Sequence, residues 1–236
     1  MSKTLNIDEI KEKFYNKLKK SGWATPLRGF IYSKEFEDII KSLYSQSMNG
    51  SKFTPVLKNI FQAFELCPYD ELKVVIIGQD PYPQIGVADG IAFSCSLTRE
   101  KQPSLDYLLK EVNHTVYDDN NYSTDPDLSR WCEQGVLMLN TALTTTVGKI
   151  GQHYVLWEPF LAYLFDTLSW NKNGIVYIYM GKKAQEWYSA VNDNNYKFKV
   201  THPAIAYYNN DKWDSENVFV KTKEILKENF NFEIEW

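Results

Sequence analysis

The sequence predicts an α/β protein: one domain of three layers, α/β/α, around a central four-stranded, mainly parallel sheet. Three observations predict it. Lys73 to Ile77 is a short apolar, β-branched run bounded by Gly78, and it lacks the alternation of a strand with one wet face. Val136 to Leu139 and Ile175 to Met180 repeat that character, and Phe198 to Thr201 gives a weaker fourth strand. Stretches of helical periodicity separate these runs, as right-handed crossovers between parallel strands require. Finally, 236 residues with no linker-like composition fit a single domain over 1–236, with an N-terminal helical segment over about 1–54.

Taken in order, Ile7, Ile10, Phe14 and Leu18 recur at helical spacing, and Gly22 stands where a C-terminal cap belongs. The next helix starts near Ser33, with Glu35, Glu37 and Asp38 at the positive end of its dipole. It buries Phe36, Ile39, Ile40 and Leu43 and stops before Asn49-Gly50-Ser51. A third runs from about Pro55 through Val56, Ile60, Phe61 and Phe64 to a stop near Pro68, proline being tolerated in a first turn whose N–H has no partner anyway. After the first strand, Pro103-Ser104 opens a helix carrying Leu105, Leu108, Leu109 and Val112. The polar segment from Tyr117 to Asp127 is expected as a surface loop, and Leu128, Trp131 and Cys132 as a short helix. The second strand ends at Asn140, and a helix from about Trp157 to Trp170 uses Phe160, Leu161, Leu164 and Phe165. Gly181 closes the third strand, Ala184 to Ala190 is helical, the fourth strand reaches His202, and Asp214 to Asn229 is the last helix.

Composition excludes several function classes. No apolar run approaches the roughly 20 residues needed to span a bilayer, so no membrane role is expected. MSKTLNIDEI lacks the charged-then-apolar layout of a signal peptide, and Cys67, Cys95 and Cys132 are too few and scattered for a disulfide framework or a zinc site. A reducing, cytoplasmic setting suits them. The net charge of -4 argues against nonspecific coating of nucleic acid, while leaving room for a local basic face.

In parallel sheets ligands bind outside the carboxyl ends of the strands. There this chain releases Asp80, Asn140, Gly181-Lys182 and His202. The first of these stretches, Gln79-Asp80-Pro81-Tyr82-Pro83, uses two prolines to fix the backbone around a carboxylate and an aromatic ring. A carboxylate, an imidazole and an amide, with no Ser or Cys in a recognisable nucleophile setting, suit cleavage through a cationic transition state better than acyl transfer. Asp80 is of the type that stabilises an oxocarbenium ion and orients water. Asn140 carries a donor and an acceptor on one planar group, the pattern that grips a base edge. Phe93, just downstream, is either a stacking partner for a planar ligand or a core aromatic.

These residues sit in a larger series. Gly78-Gln79-Asp80-Pro81-Tyr82, Gly90-Ile91-Ala92-Phe93-Ser94, Gln102-Pro103-Ser104-Leu105, Gly135-Val136-Leu137-Met138-Leu139-Asn140-Thr141, Trp157-Glu158-Pro159-Phe160, Gly181-Lys182-Lys183-Ala184-Gln185 and His202-Pro203 follow one another in order. The series, over roughly Pro55 to the C-terminus, resembles the motifs of family 1 uracil-DNA glycosylases. The resemblance implies hydrolysis of the N-glycosidic bond of deoxyuridine in DNA, with no metal or organic cofactor. It implies that Asp80 positions water and stabilises the sugar cation, and that His202 hydrogen-bonds the anion developing on uracil O2. Tyr82 would exclude the 5-methyl of thymine, Phe93 would stack on the flipped base, Asn140 would read its polar edge and Gln79 would line the pocket. Contacts to DNA would come from Gln102, Pro103 and Ser104, from Gly181 and Lys182, and from Pro203, Ala204, Ala206 and Tyr207.

The departures from the family pattern are specific. Pro83 replaces the histidine that usually follows the tyrosine, removing a donor and stiffening the loop, a change shared with divergent poxvirus relatives that serve polymerases as processivity factors. The loop usually written HPSPLS reads His202-Pro203-Ala204-Ile205-Ala206-Tyr207, so Ala206 stands where a leucine wedge enters the duplex. Tyr207 or Tyr208 then either fills the vacated stack or packs on the surface. Lys182 replaces a serine and keeps phosphate attraction by charge. His153 is expected to be a structural, hydrogen-bonded histidine and His114 a surface one. The expected partner is uracil-containing DNA, single- or double-stranded, met by a monomer, with room for a proteinaceous inhibitor or a replication partner. The competing reading is a DNA- or polymerase-binding module that keeps the fold and has lost activity.

Overall fold

A computed structural model describes residues 5–119 and 121–236; Met1–Thr4, where the stretch read above for a leader begins, and Asn120 in the polar loop lie outside the described residues. Helix α1 (Ile7–Lys17) starts where Asn6 accepts the Glu9 N–H at 3.1 Å. Helix α2 (Ala24–Ile31) follows, then α3 (Lys34–Met48), capped by Ser33 through the Phe36 N–H at 3.2 Å. After the two-residue strand β1 (Phe53–Thr54) come α4 (Gln62–Leu66), β2 (Val74–Gly78), α5 (Pro103–Val112), α6 (Ser129–Cys132) and β3 (Val136–Asn140). The chain continues through β4 (Thr145–Thr146), α7 (Tyr154–Asn171), β5 (Val176–Met180), α8 (Lys182–Gln185), β6 (Tyr196–Val200) and α9 (Val218–Phe230).

Four of the strands form one sheet in the order β3-β2-β5-β6, every neighbouring pair parallel, with Val74 facing Val136 and Val176, and Val176 facing Tyr196. Helices flank it. Because β2 and β5 are inner strands covered on both faces, every residue in them is buried, which is why their sequences show no alternation. Strand β6 lies at an edge and is the most exposed of the four, and its weaker apolar pattern follows from that position. The register sets Gly78 opposite Asn140, so the chain leaves β2 and β3 side by side at the same level.

The N-terminal helices share the core of the sheet. Phe14, Phe30, Phe36, Phe61, Phe64 and Phe160 are all buried, and their rings meet mostly edge-on or tilted, with centroids 5.1–6.2 Å apart. Each such side chain contributes about 1.5–3 kcal/mol by leaving water, and each favourable ring pair about 0.5–1.5 kcal/mol more.

Several elements differ from the sequence reading. Helix α2 was not expected. Pro26 falls in the first turn, where its missing N–H is harmless, and Gly29 leaves room for Tyr163, whose hydroxyl would stand 2.6 Å from an added Cβ and donates to the Pro26 carbonyl at 3.0 Å. The helix expected from about Pro55 to a stop near Pro68 is divided into a 3₁₀ turn (Leu57–Asn59) and α4. It bends around the Gly90 turn: a Cβ on Gly90 would lie 1.8 Å from the Asn59 carbonyl oxygen, and the Ala63 N–H donates to the Gly90 carbonyl. The helix expected over Ala184 to Ala190 is α8 followed by a 3₁₀ turn (Tyr188–Ala190). Strands β1 and β4 pair antiparallel over two residues each, too short to leave a periodic signal.

Candidate active site

Asp80 lies two residues beyond β2, at the carboxyl edge of the sheet. The backbone there is stapled to the segment after β3, since the Gln79 carbonyl accepts the Thr141 hydroxyl at 2.8 Å and the Ala142 N–H at 3.2 Å. The Pro83 carbonyl accepts the Gly148 N–H at 2.9 Å, tying the loop to the turn after β4. Oδ2 of Asp80 accepts the Gly151 N–H, while Oδ1 is buried and makes no full hydrogen bond to a described residue. Burial lifts the Asp80 carboxyl above its ordinary value; the Tyr154 hydroxyl, the Gly151 N–H and the Lys183 charge pull the other way and offset only part of the rise.

Phe93 is held in a backbone conformation that a bulky residue adopts at a cost of about 1–3 kcal/mol, with φ at +65°. The compensation comes from Asp89, buried just upstream, whose carboxylate accepts the Ile91 N–H at 3.0 Å, the Ser94 hydroxyl at 2.6 Å, and the Ser96 N–H and hydroxyl at 2.9 and 2.6 Å. The Tyr82 hydroxyl donates to the Phe93 carbonyl at 3.0 Å, so the two rings are fixed to each other. Burial pushes the Tyr82 phenol well up, and it stays neutral. Sequence reasoning missed Asp89. The signal was there in a lone carboxylate inside an apolar stretch, followed at short range by Ser94 and Ser96.

Asn140 ends β3 opposite Gly78, and that glycine is obligatory for the geometry: a Cβ would stand 2.7 Å from Asn140 Oδ1 and 3.0 Å from the Phe93 ring. Among the described residues the Asn140 amide makes no side-chain hydrogen bond, and the residue lines the cleft. His202 follows β6 and packs its ring toward Phe93, centroids 5.5 Å apart at 37°. Its Nδ1 accepts the Ala204 N–H at 3.2 Å, so the neutral ring carries its proton on Nε2. Burial drives the His202 pKa down from 6.5 to about 4, which makes that neutral, Nε2-protonated form the one present at neutral pH. Gly181 permits the approach of the third loop, since a Cβ there would come within 2.9 Å of both Gln79 Nε2 and His202 Cβ.

These groups line one cleft of ≈ 200 Å³, bounded by Gln79, Asp80, Tyr82, Pro83, Phe93, Ser104, Asn140, Ile150, His202 and Ala204. A carboxylate, a neutral imidazole donor, a two-way amide and a flat ring thus come from three strand ends and one loop. The comparison with known proteins agrees with this arrangement: the uracil DNA glycosylase superfamily matches residues 64–227. The chain belongs to that superfamily. It is 31% identical to a uracil-DNA glycosylase of Acinetobacter baumannii (strain SDF), with 97% of this chain and 98% of that one covered. Identity to a uracil-DNA glycosylase 2 of Bacteroides fragilis (strain YCH46) is 35%, covering 92% and 98%. Among solved structures, mimivirus uracil-DNA glycosylase shares the fold with a TM-score of 0.84 at 24% identity, over 98% of this chain and 89% of that one. A mimivirus variant in complex with UGI gives 0.80 at 26% identity, over 91% and 87%.

Within this glycosylase fold the remaining candidate residues are placed unevenly. Gln102 is the N-cap of α5, Pro103 its first residue, and Ser104 lines the cleft. Lys182 is exposed beside buried Gly181 at the end of β5. In the loop after His202 the side chains of Pro203 and Ala206 are both buried, Ala206 at 0% exposure. What the same 3₁₀ turn (Pro203–Tyr208) offers to solvent is Tyr207 and Tyr208, 73% and 82% exposed and paired edge-on at 5.1 Å, with Ile205 beside them. Ile150, 69% exposed at the cleft mouth, was not anticipated. His153 is buried with Nδ1 2.8 Å from the Thr144 hydroxyl and Nε2 2.9 Å from Gln46 Oε1, and His114 is exposed.

Proposed function

We propose that this chain is a monofunctional uracil-DNA N-glycosylase of the family 1 type, which releases uracil from DNA and leaves an abasic site as the opening step of base excision repair. The observation that carries the reading is the convergence of Asp80, Asn140 and a neutral, Nε2-protonated His202 on one cleft behind the Phe93 ring. The target nucleotide leaves the stack, at a cost of a few kcal/mol that is lowest for single strands and weak pairs. Phe93 stacks on the base, Asn140 pairs with its edge, Gln79 lines the pocket and the Tyr82 ring occupies the space a 5-methyl would need.

The C1′–N1 bond then breaks with its electron pair passing to the base. The Nε2–H of His202 donates to the developing oxyanion, and because the ring is neutral it does so without giving up the proton. Asp80 faces the positive charge left on the sugar. Water adds to C1′ and its proton passes to Asp80, whose carboxyl is raised by burial toward the range of a useful base. Lys182 by its charge, and the exposed Tyr207 and Tyr208 by their rings, would contact the strand in this reading. A proteinaceous partner of the kind seen with the mimivirus variant is a further proposal, checked by adding UGI to the activity assay.

Base selectivity tests the reading. Oligonucleotides carrying uracil, thymine or cytosine at one site, treated with enzyme and then alkali, should be cut only at uracil by the unaltered protein. Tyr82→Ala should gain cutting at thymine, and Asn140→Asp should lose uracil preference by tenfold or more, because stranded polar groups penalise a mismatched partner by about 1–3 kcal/mol or more. Unchanged base preference in both variants would place the base elsewhere.

A further inference from the structure

Phe93 occupies a left-handed backbone position that its own side chain disfavours, so groups outside the residue have to hold it there. Packing alone leaves slack. Besides the main cleft, Phe93 borders a smaller cavity of ≈ 20 Å³ shared with Tyr82, Ile91 and Asn140, room for about one water. The tether is Asp89, 2% exposed, whose two carboxylate oxygens gather the loop from both sides of Phe93. Oδ1 takes the Ile91 N–H, while Oδ2 takes the Ser94 hydroxyl and both the N–H and the hydroxyl of Ser96. The four donors lie at 2.6–3.0 Å, and every one is neutral.

The ends of this loop are anchored in turn. The Ser94 hydroxyl, having donated to Asp89, accepts the Leu128 N–H at 3.2 Å, and the Cys95 N–H reaches the Pro126 carbonyl at 2.9 Å, so one side is fixed to the segment leading into α6. On the other side the Ala92 N–H donates to the Met138 carbonyl of β3 at 3.1 Å. Phe93 sits between the two anchors, and its carbonyl receives the Tyr82 hydroxyl at 3.0 Å. A displacement of this peptide therefore moves both rings. An amide cannot do the work of the carboxylate: asparagine has one acceptor oxygen, so whichever way it turns, its NH₂ faces the N–H of either Ile91 or Ser96.

Resting on the reading of Phe93 and Tyr82 given above, we propose that Asp89 is a positioning residue for base recognition. It holds the stacking ring and the ring that excludes the 5-methyl in one frame, and so sets both the affinity for uracil and the rejection of thymine. Asp89 itself does not line the cleft, so it acts through those rings. Asp80 and His202 are placed by other loops, and the loss of Asp89 therefore falls on recognition more than on bond breaking.

The test measures KM and the single-turnover rate at saturation on a single-stranded uracil oligonucleotide, the inhibition constant of free uracil, and cutting at thymine. Asp89→Asn should raise KM and the uracil inhibition constant together by about tenfold, lower the saturating rate by less than about threefold, and gain cutting at thymine. Ser96→Ala removes one of the donors and keeps the carboxylate; it should shift the same quantities in the same direction by about threefold, and it alone decides the test if Asp89→Asn does not fold. With Phe93→Ala already in place, Asp89→Asn should add nothing to the uracil inhibition constant, because the ring through which it acts is gone. Leu226→Ala in α9, buried and outside the cleft lining, controls for stability: it should lower the melting temperature and leave KM and base choice alone. The proposal is overturned if the substitutions at 89 and 96 change only the melting temperature, or if the Leu226 variant reproduces their kinetic pattern. It is also overturned if the Asp89→Asn penalty persists undiminished without the Phe93 ring. Failure of the parent reading looks different: Phe93→Ala alone would then leave uracil inhibition unchanged, which removes the target of this proposal as well.

Discussion

His202 shows what burial does for a single residue. Its Nδ1 is committed to the Ala204 N–H and burial lowers its pKa to about 4, so in the proposed reaction the ring would act as a neutral donor through Nε2. His202→Ala should lower single-turnover uracil release by about 10²- to 10³-fold, the usual loss on removing one preorganised donor to an oxyanion. The sign of the pH effect follows from the shift. Because the folded-state pKa is depressed, His202 is already neutral above about pH 4 and would not set the acid limb, which the proposed mechanism assigns to the raised carboxyl of Asp80. The variant should therefore be slower at every pH with its limb in place, and a limb displaced by the substitution would contradict the assignment. The chemistry-bearing residues were legible in the sequence because each follows a strand end. Phe93 was legible too, but Asp89 and the left-handed backbone of Phe93 were not, because a positive φ is imposed by hydrogen bonds between residues and leaves no local periodicity.

At the scale of elements, the loop after His202 shows how far alignment of motifs reaches. By position Ala206 takes the place of a wedge, but the loop folds as a 3₁₀ turn, whose period of three puts Pro203 and Ala206 on the same inward face. Ala206→Leu should accordingly overpack the turn, costing about 1–3 kcal/mol and lowering the melting temperature without raising duplex activity. Tyr207 and Tyr208 are the side chains free to stack or insert. Tyr207→Ala or Tyr208→Ala should lower the ratio of duplex to single-strand rate, because only the duplex charges for unstacking. A ratio unchanged in both variants would remove the loop from base capture. Elsewhere, long periodic helices such as α3 and α5 were read to within a few residues. The segment before β2 was misread because its bend is set by the Gly90 turn, a contact made from some thirty residues away and invisible to a window of helical spacing.

For the whole molecule, alternating strands and helices were enough to predict a parallel sheet, though not the order β3-β2-β5-β6, which depends on crossovers that sequence spacing does not encode. That order is what matters for function. It sets β2 between β3 and β5, so Asp80 is flanked by Asn140 on one side and by the Gly181 loop on the other, with His202 delivered from the edge strand. In the proposed function this edge is a hydrolytic site in which Asp80 carries the charge stabilisation. Single-turnover release of uracil from a labelled single-stranded oligonucleotide, measured in EDTA for the unaltered protein and for Asp80→Asn, tests it most directly. Release with an alkali-labile abasic site is expected for the unaltered protein, and a rate at least about 100-fold lower for the variant. Equal rates for the two proteins, or no release by either, would contradict it.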